Sequence, residues 1–144
     1  MEVKSLLTAI SSAKVDDVQA MDRINEAVYC YVKQVEFVKR TYPASDMITF
    51  KDKDGVFSAF CPQYHNDRNA LKAIRPNGWT LDSIIFYGSR SQNIKFWKAE
   101  IHRSGEPSTV LASRGMPTEE LAELYCIIAA IQHDRANTEG GQQP

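Results

Sequence analysis

Three observations on the sequence predict an α+β fold. Apolar residues recur every three or four positions as far as Val38, alternate in twos between Met47 and Ser113 around Gly-containing turns, and return to helical spacing after Thr118. The expected architecture is one antiparallel sheet of about four to five strands, covered by a long N-terminal helix, a short central helix and a C-terminal helix. At 144 residues the chain has the size of a single domain. Residues 1–135 are assigned to it, and the Gly- and Gln-rich residues 136–144 to a flexible tail.

Val3, Leu6, Leu7 and Ile10 predict a first short helix ending near Ala13. Asp16 and Asp17 then open a second helix, about 25 residues long, which Pro43 stops. Met21, Ile24, Val28, Tyr31, Val35 and Val38 follow one another at spacings of three and four along it, the pattern of a heptad seam. Such a stripe serves either a second copy of the chain or the chain's own sheet, and Ala27, Val32 and Phe37 widen it as the sheet would require. A homo-oligomer, most simply a dimer through this seam, is the expectation.

Met47–Lys51 and Val56–Phe60 flank Asp52-Lys53-Asp54-Gly55 and read as a hairpin. Asp67 to Arg75 reads as a short helix closed by Pro76-Asn77-Gly78. Ser83–Tyr87 and Ile94–His102 form a second hairpin, with Ile94, Phe96 and Lys98 alternating against Lys95, Trp97 and Ala99, and Thr109–Ser113 supplies a last strand. Thr118 caps the final helix; Glu119 and Glu120 suit its N-terminus, and Leu121, Leu124, Tyr125, Ile128 and Ile131 share one face up to about Arg135.

Composition narrows the function. No stretch approaches the roughly 20 apolar residues that span a bilayer, and Met-Glu-Val-Lys at the start is unlike a signal peptide, so a cytoplasmic protein without membrane partners is expected. Cys30, Cys61 and Cys126 are odd in number and far apart, and His65, His102 and His133 are scattered; buried reduced thiols and no metal site or cofactor are the reading. Net charge is −1, yet the chain from Tyr64 to Arg114 is basic and the segment after Gly115 acidic, which makes the molecule a dipole.

Two segments can carry a site. In Gln63-Tyr64-His65-Asn66-Asp67-Arg68-Asn69, His65 or Asp67 could act as a base, but a capped helix start explains the same residues. That helix N-terminus, with Arg68 and Lys72 beside it, has the makeup of an anion site; Tyr64, Asn66, Arg68, Asn69, Lys72 and Trp79 are its candidate ligand-binding residues, with Tyr64 or Trp79 stacking a planar group. The second is a candidate basic face of Arg90, Lys95 and Lys98 among Tyr87, Phe96 and Trp97, a mixture suited to single-stranded nucleic acid. A pI below neutral makes nucleic acid the lesser expectation.

Tyr64-x-x-Asp67-x-Asn69-Ala70 opening a short helix, the strand with Trp97-Lys98-Ala99, and a closing helix with Ala122, Cys126, Ala129 and Ala130 resemble the phage ABA-sandwich (NinX-like) family of small bacteriophage proteins. The likeness covers about half the chain; the N-terminal helix lies outside it, and Leu124-Tyr125-Cys126-Ile127-Ile128 is bulkier than the family's small-residue helix. It implies a phage origin, hence a host-cell cytoplasm, and brings no reaction with it. With no catalytic motif read, the expected function is that of a phage-type accessory protein acting by stoichiometric binding. It would inhibit a host or defence protein, or sequester an anionic, nucleotide-like ligand. An enzyme acting on a phosphorylated or nucleotide substrate and a single-stranded nucleic-acid binder are the alternatives.

Overall fold

A computed structural model describes residues 2–40, 47–105 and 108–141, with side chains as far as residue 138. The elements run α1 (Val3–Ser11), α2 (Val18–Lys33), β1 (Glu36–Arg40), β2 (Met47–Asp52), β3 (Gly55–Phe60), α3 (Arg68–Ile74), β4 (Trp79–Ser89), β5 (Ile94–Arg103), β6 (Thr109–Ala112) and α4 (Glu119–Gly141). The fold is α+β, but the strands form two separate antiparallel sheets, β1-β2-β3 and β4-β5-β6, where one was expected.

α4 is the axis of the molecule. Leu121, Ala122, Leu124, Cys126, Ile127, Ile128 and Ala130 are all fully buried, so its apolar surface runs around the helix rather than along the single face expected of it. The small residues Ala122, Cys126 and Ala130, spaced by four, let it lie close on the second sheet, where Cys126 Sγ donates to Ala99 O at 3.3 Å. Leu6 and Ile10 of α1, Met21, Ile24 and Val28 of α2, and Leu71 of α3 belong to the same core. Thr118 Oγ1 accepts from Leu121 N at 3.2 Å and so caps the helix. At its other end α4 continues through residues assigned to the tail, with Thr138 Oγ1 bonded to Asp134 O; residues 142–144 lie outside the described part.

The second helix is shorter than its periodicity predicts. Asp17 caps it by accepting from Ala20 N, and it stops at Lys33 because Gln34 takes up a left-handed conformation, φ 57°. The β-branched and aromatic residues of Val35-Glu36-Phe37-Val38 then favour extended chain, which becomes β1. Arg135 of α4 serves the freed helix end, its guanidinium donating to Tyr31 O at 3.0 Å and Val32 O at 3.2 Å and lying 4.6 Å from the Tyr31 ring centroid. Pro43, the expected helix stop, falls outside the described residues.

The first sheet packs an aromatic row beneath α2. Phe37, Phe50 and Phe57 are cross-strand neighbours, and the Tyr29 ring lies 4.5 Å from that of Phe50. Its β2-β3 turn matches the hairpin reading: Gly55 has φ 131°, and Asp54 N donates to Asp52 Oδ1 at 2.8 Å.

Candidate functional site

The N-terminus of α3 is already occupied. Asp67 Oδ1 accepts from Asn69 N at 2.9 Å and Ala70 N at 3.3 Å, taking the amide groups that an external anion would need. Arg68 is drawn to α4, where it pairs with Glu119 and stands 3.9 Å from Glu120. Asn66 Nδ2 donates to Gln63 Oε1, and Lys72 is exposed in the last turn of this seven-residue helix. Tyr64 and Trp79 are both buried in the core, with Trp79 Nε1 donating to Asp134 at 3.0 Å, so neither can stack a ligand. The six residues are therefore not gathered around the helix start: Arg68 is spent on the chain's own carboxylates, Tyr64 and Trp79 belong to the core, and Lys72 stands exposed in the last turn.

The helix seam is not an outward stripe either. Met21, Ile24 and Val28 are buried in the chain's own core and Tyr31 lies beneath Arg135. Val35 sits in the turn after α2, and Val38 falls at the bulge in β1, where the pairing register shifts between Phe37 and Lys39. A side chain's direction changes with its backbone, and three-and-four spacing loses its meaning once the helix ends.

The proposed basic face divides in two. Arg90 and Lys95 line an open depression of about 520 Å³ at the β4-β5 hairpin end, together with Phe86, Gly88 and Asn93. Lys98 differs in parity from Lys95 and therefore leaves the strand on the opposite side. On that outer side Tyr87 and Phe96 pair across the strands with rings stacked at 5.2 Å, and Lys98 Nζ lies 5.7 Å and 5.8 Å from the two centroids. Ile85, Tyr87 and Val110 are exposed on this face. Gly115 seats the stack, since a Cβ there would come within 2.9 Å of the Phe96 ring. The matching parity of Phe96 and Lys98 was legible in the sequence; that this side faces outward was not.

Family models, curated proteins and solved structures gave no match.

Chemically, the described residues offer binding groups more than reactive ones. Burial pushes the thiols of Cys61 and Cys126 up to about 12, far from the thiolate a nucleophile needs at neutral pH, and raises Cys30 as well. No group of three or more His, Cys, Asp and Glu among the described residues is placed to hold a metal. One cluster escaped the sequence reading. His102 Nδ1 pairs with Asp82 Oδ1, while His102 Nε2 lies 3.4 Å from Ser104 Oγ, which is the connectivity of a Ser-His-Asp relay. Asp82 reaches it because a bulge between Leu81 and Ser83 turns β4 there.

Proposed function

We propose that the chain is a small accessory protein that works by stoichiometric binding of a protein partner, docking through the outer face of the second sheet. The observation that carries this reading is the cluster of Tyr87, Phe96 and Lys98 with exposed Ile85 beside it and exposed Val110, opposite His102, farther along the same face. Aromatic side chains with a cation beside them are typical anchors of protein interfaces. The same face carries Glu100 and the His102–Asp82 pair beyond Lys98, so its charge is mixed, as a protein partner suits and a polyanion does not. The phage setting rests only on the likeness of residues Tyr64 to Ala70, the Trp97-Lys98-Ala99 strand and the Ala-containing α4 to the phage ABA-sandwich family.

The test is a photo-crosslinking amino acid placed at Val110, with Asn77 as a control away from the cluster, in cells making the protein. We expect one discrete adduct from Val110, absent from Asn77 and lost in Tyr87→Glu. No adduct, or the same adducts from both positions, would defeat the reading. An adduct of twice the chain mass would identify the partner as a second copy and restore the dimer on a different surface.

Asp82, His102 and Ser104 support a second reading, hydrolysis. His102 lies six residues along β5 from Phe96, roughly 20 Å at about 3.3 Å per residue, so the aromatic stack cannot hold a small substrate over the serine. Labelling of Ser104 by a fluorophosphonate, abolished in His102→Gln, would favour the enzyme; an unlabelled protein removes it.

A further inference from the structure

A partly enclosed cavity of about 160 Å³ lies where α2 meets the first sheet, lined by Asp22, Asn25, Arg40, Ile48, Phe60, Cys61 and Gln63. Asn25 is its unusual member. Only 3% exposed, it faces His65 through Nδ2 at 2.9 Å from Nδ1, while its Oδ1 is buried without a hydrogen-bond partner. With Nδ2 facing His65 Nδ1 the end left over is an acceptor, whereas the turned amide would leave a donor there instead. A buried acceptor left unpaired costs about 1–3 kcal/mol, so a group that supplies the missing donor has a built-in advantage.

The surrounding charges say which donor fits. Arg40 is the cation of the cluster, and it is spent: it pairs with Glu26 and approaches Asp22 at 3.9 Å. Two carboxylates against one guanidinium leave an excess of negative charge, with Asp22 held only at the limit of ion-pair distance. Gln63 Oε1 already accepts from Asn66 Nδ2, and a second lone pair remains to it. The acceptors open around the cavity are thus Asn25 Oδ1, the Asp22 carboxylate and Gln63 Oε1, beside the Gln63 Nε2 donor, and Ile48 and Phe60 supply an apolar wall.

We propose that this cavity is a binding site for a small cation rich in N–H donors, a guanidinium or primary ammonium group, held by Asn25 Oδ1 and the Asp22 carboxylate. The same head group is carried by free small amines and by the Arg or Lys side chain of a bound protein. This site is independent of the outer face of the second sheet, and either can fail without the other.

The experiment is an NMR titration of the full chain with methylguanidinium and propylammonium chloride, following the backbone amides of residues 22 and 25 in every variant and the side-chain amide of Asn25 where it is present. Tetramethylammonium, a cation without N–H groups, is the control. We expect a saturable shift with the first two and none with the third. Asp22→Asn should weaken binding about tenfold or more, as the loss of a charge-assisted bond predicts. Asn25→Asp, which keeps an acceptor, should bind at least as well as the native protein, and Asn25→Leu should not bind. If Asn25→Leu fails to fold, Asp22→Asn still decides, because Asp22 is partly exposed. Tighter binding of N-acetyl-arginine methylamide than of methylguanidinium would point to a side-chain source, and the reverse to a free amine. A cavity that holds only water would show no saturable shift. That result, an equal response to tetramethylammonium, or unchanged affinity in Asp22→Asn would each overturn the proposal.

Discussion

The two sheets have the same strand number and pairing sense but are stabilised differently. The second lies against α4, and Ala99, Ile101 and the whole inner surface of the helix vanish from solvent between them. The first meets the rest of the molecule mainly through α2, keeps Ile48, Thr49 and Phe50 as its buried residues, and leaves every residue of β1 exposed, with Val56 and Phe60 at 65% and 67%. A three-stranded sheet gains its stability from what covers it. The second sheet is thus part of the global core, and the first is a lighter unit whose opening leaves α4 covered.

The largest effect should come from testing that division directly. Ile127→Ala removes a fully buried side chain from α4 and should cost about 3 kcal/mol of global stability, lowering hydrogen-exchange protection in both sheets together. Phe50→Ala, equally buried, should open β1-β2-β3 while β4 and β5 keep their protection. Equal loss in both sheets from Phe50→Ala would show one cooperative unit instead.

Next in size is the ion pair that ties α3 to α4. Glu123 is almost wholly buried, and Arg75 Nη2 reaches its carboxylate at 3.5 Å. Arg75→Met leaves that carboxylate without its cation, and we expect a loss of about 2–3 kcal/mol by denaturant unfolding, placed at the low end for buried pairs because the bond is long. Arg75→Met/Glu123→Met should recover much of it. A double variant no better than the single one would mean that packing of the Arg75 stem, not charge, is what matters there.

Arg135 joins the two regions, since it stands on α4 and holds the end of α2 from which the first sheet departs. Arg135→Ala should cost about 2 kcal/mol, the scale of charged hydrogen bonds to two carbonyls and a ring contact, and should loosen β1 more than β5. This residue also explains what the sequence hid. The Asp52–Gly55 turn, the alternation from Ile94 to Ala99 and the Thr118 cap are local signals, and both hairpins and α4 could be read from them. The end of α2 is not local: Gln34 is no usual left-handed residue, and the group that serves Tyr31 O lies 104 positions away. Two sheets instead of one, and the all-round burial of α4, follow from how elements meet, which strand and helix periodicity does not contain. At the candidate sites, the parity of Phe96 and Lys98 was legible, whereas Asn25 and His65 meet across 40 positions of sequence.

The smallest predicted effect tests the junction of the first sheet through pH. Burial lowers the pKa of His65 below its usual 6.5, and the nearby charges of Asp22 and Glu120 offset only part of that. The contact with Asn25 is consistent with a neutral ring, because the amide Nδ2 donates to an unprotonated Nδ1. A histidine whose folded pKa is depressed takes up its proton more readily when unfolded. Its contribution is therefore complete above about pH 6.5, falls as the pH drops through the window between 6.5 and the lower folded value, and changes no further below that. Thermal unfolding across this window should show the native protein losing stability relative to His65→Gln, which has no proton to gain. Exchange protection in β2, beside Asn25 and Cys61 in the cavity, should fall before that in β5. Parallel pH curves for the native protein and His65→Gln would assign the acid sensitivity to other groups, and simultaneous loss in β2 and β5 would again favour a single cooperative unit.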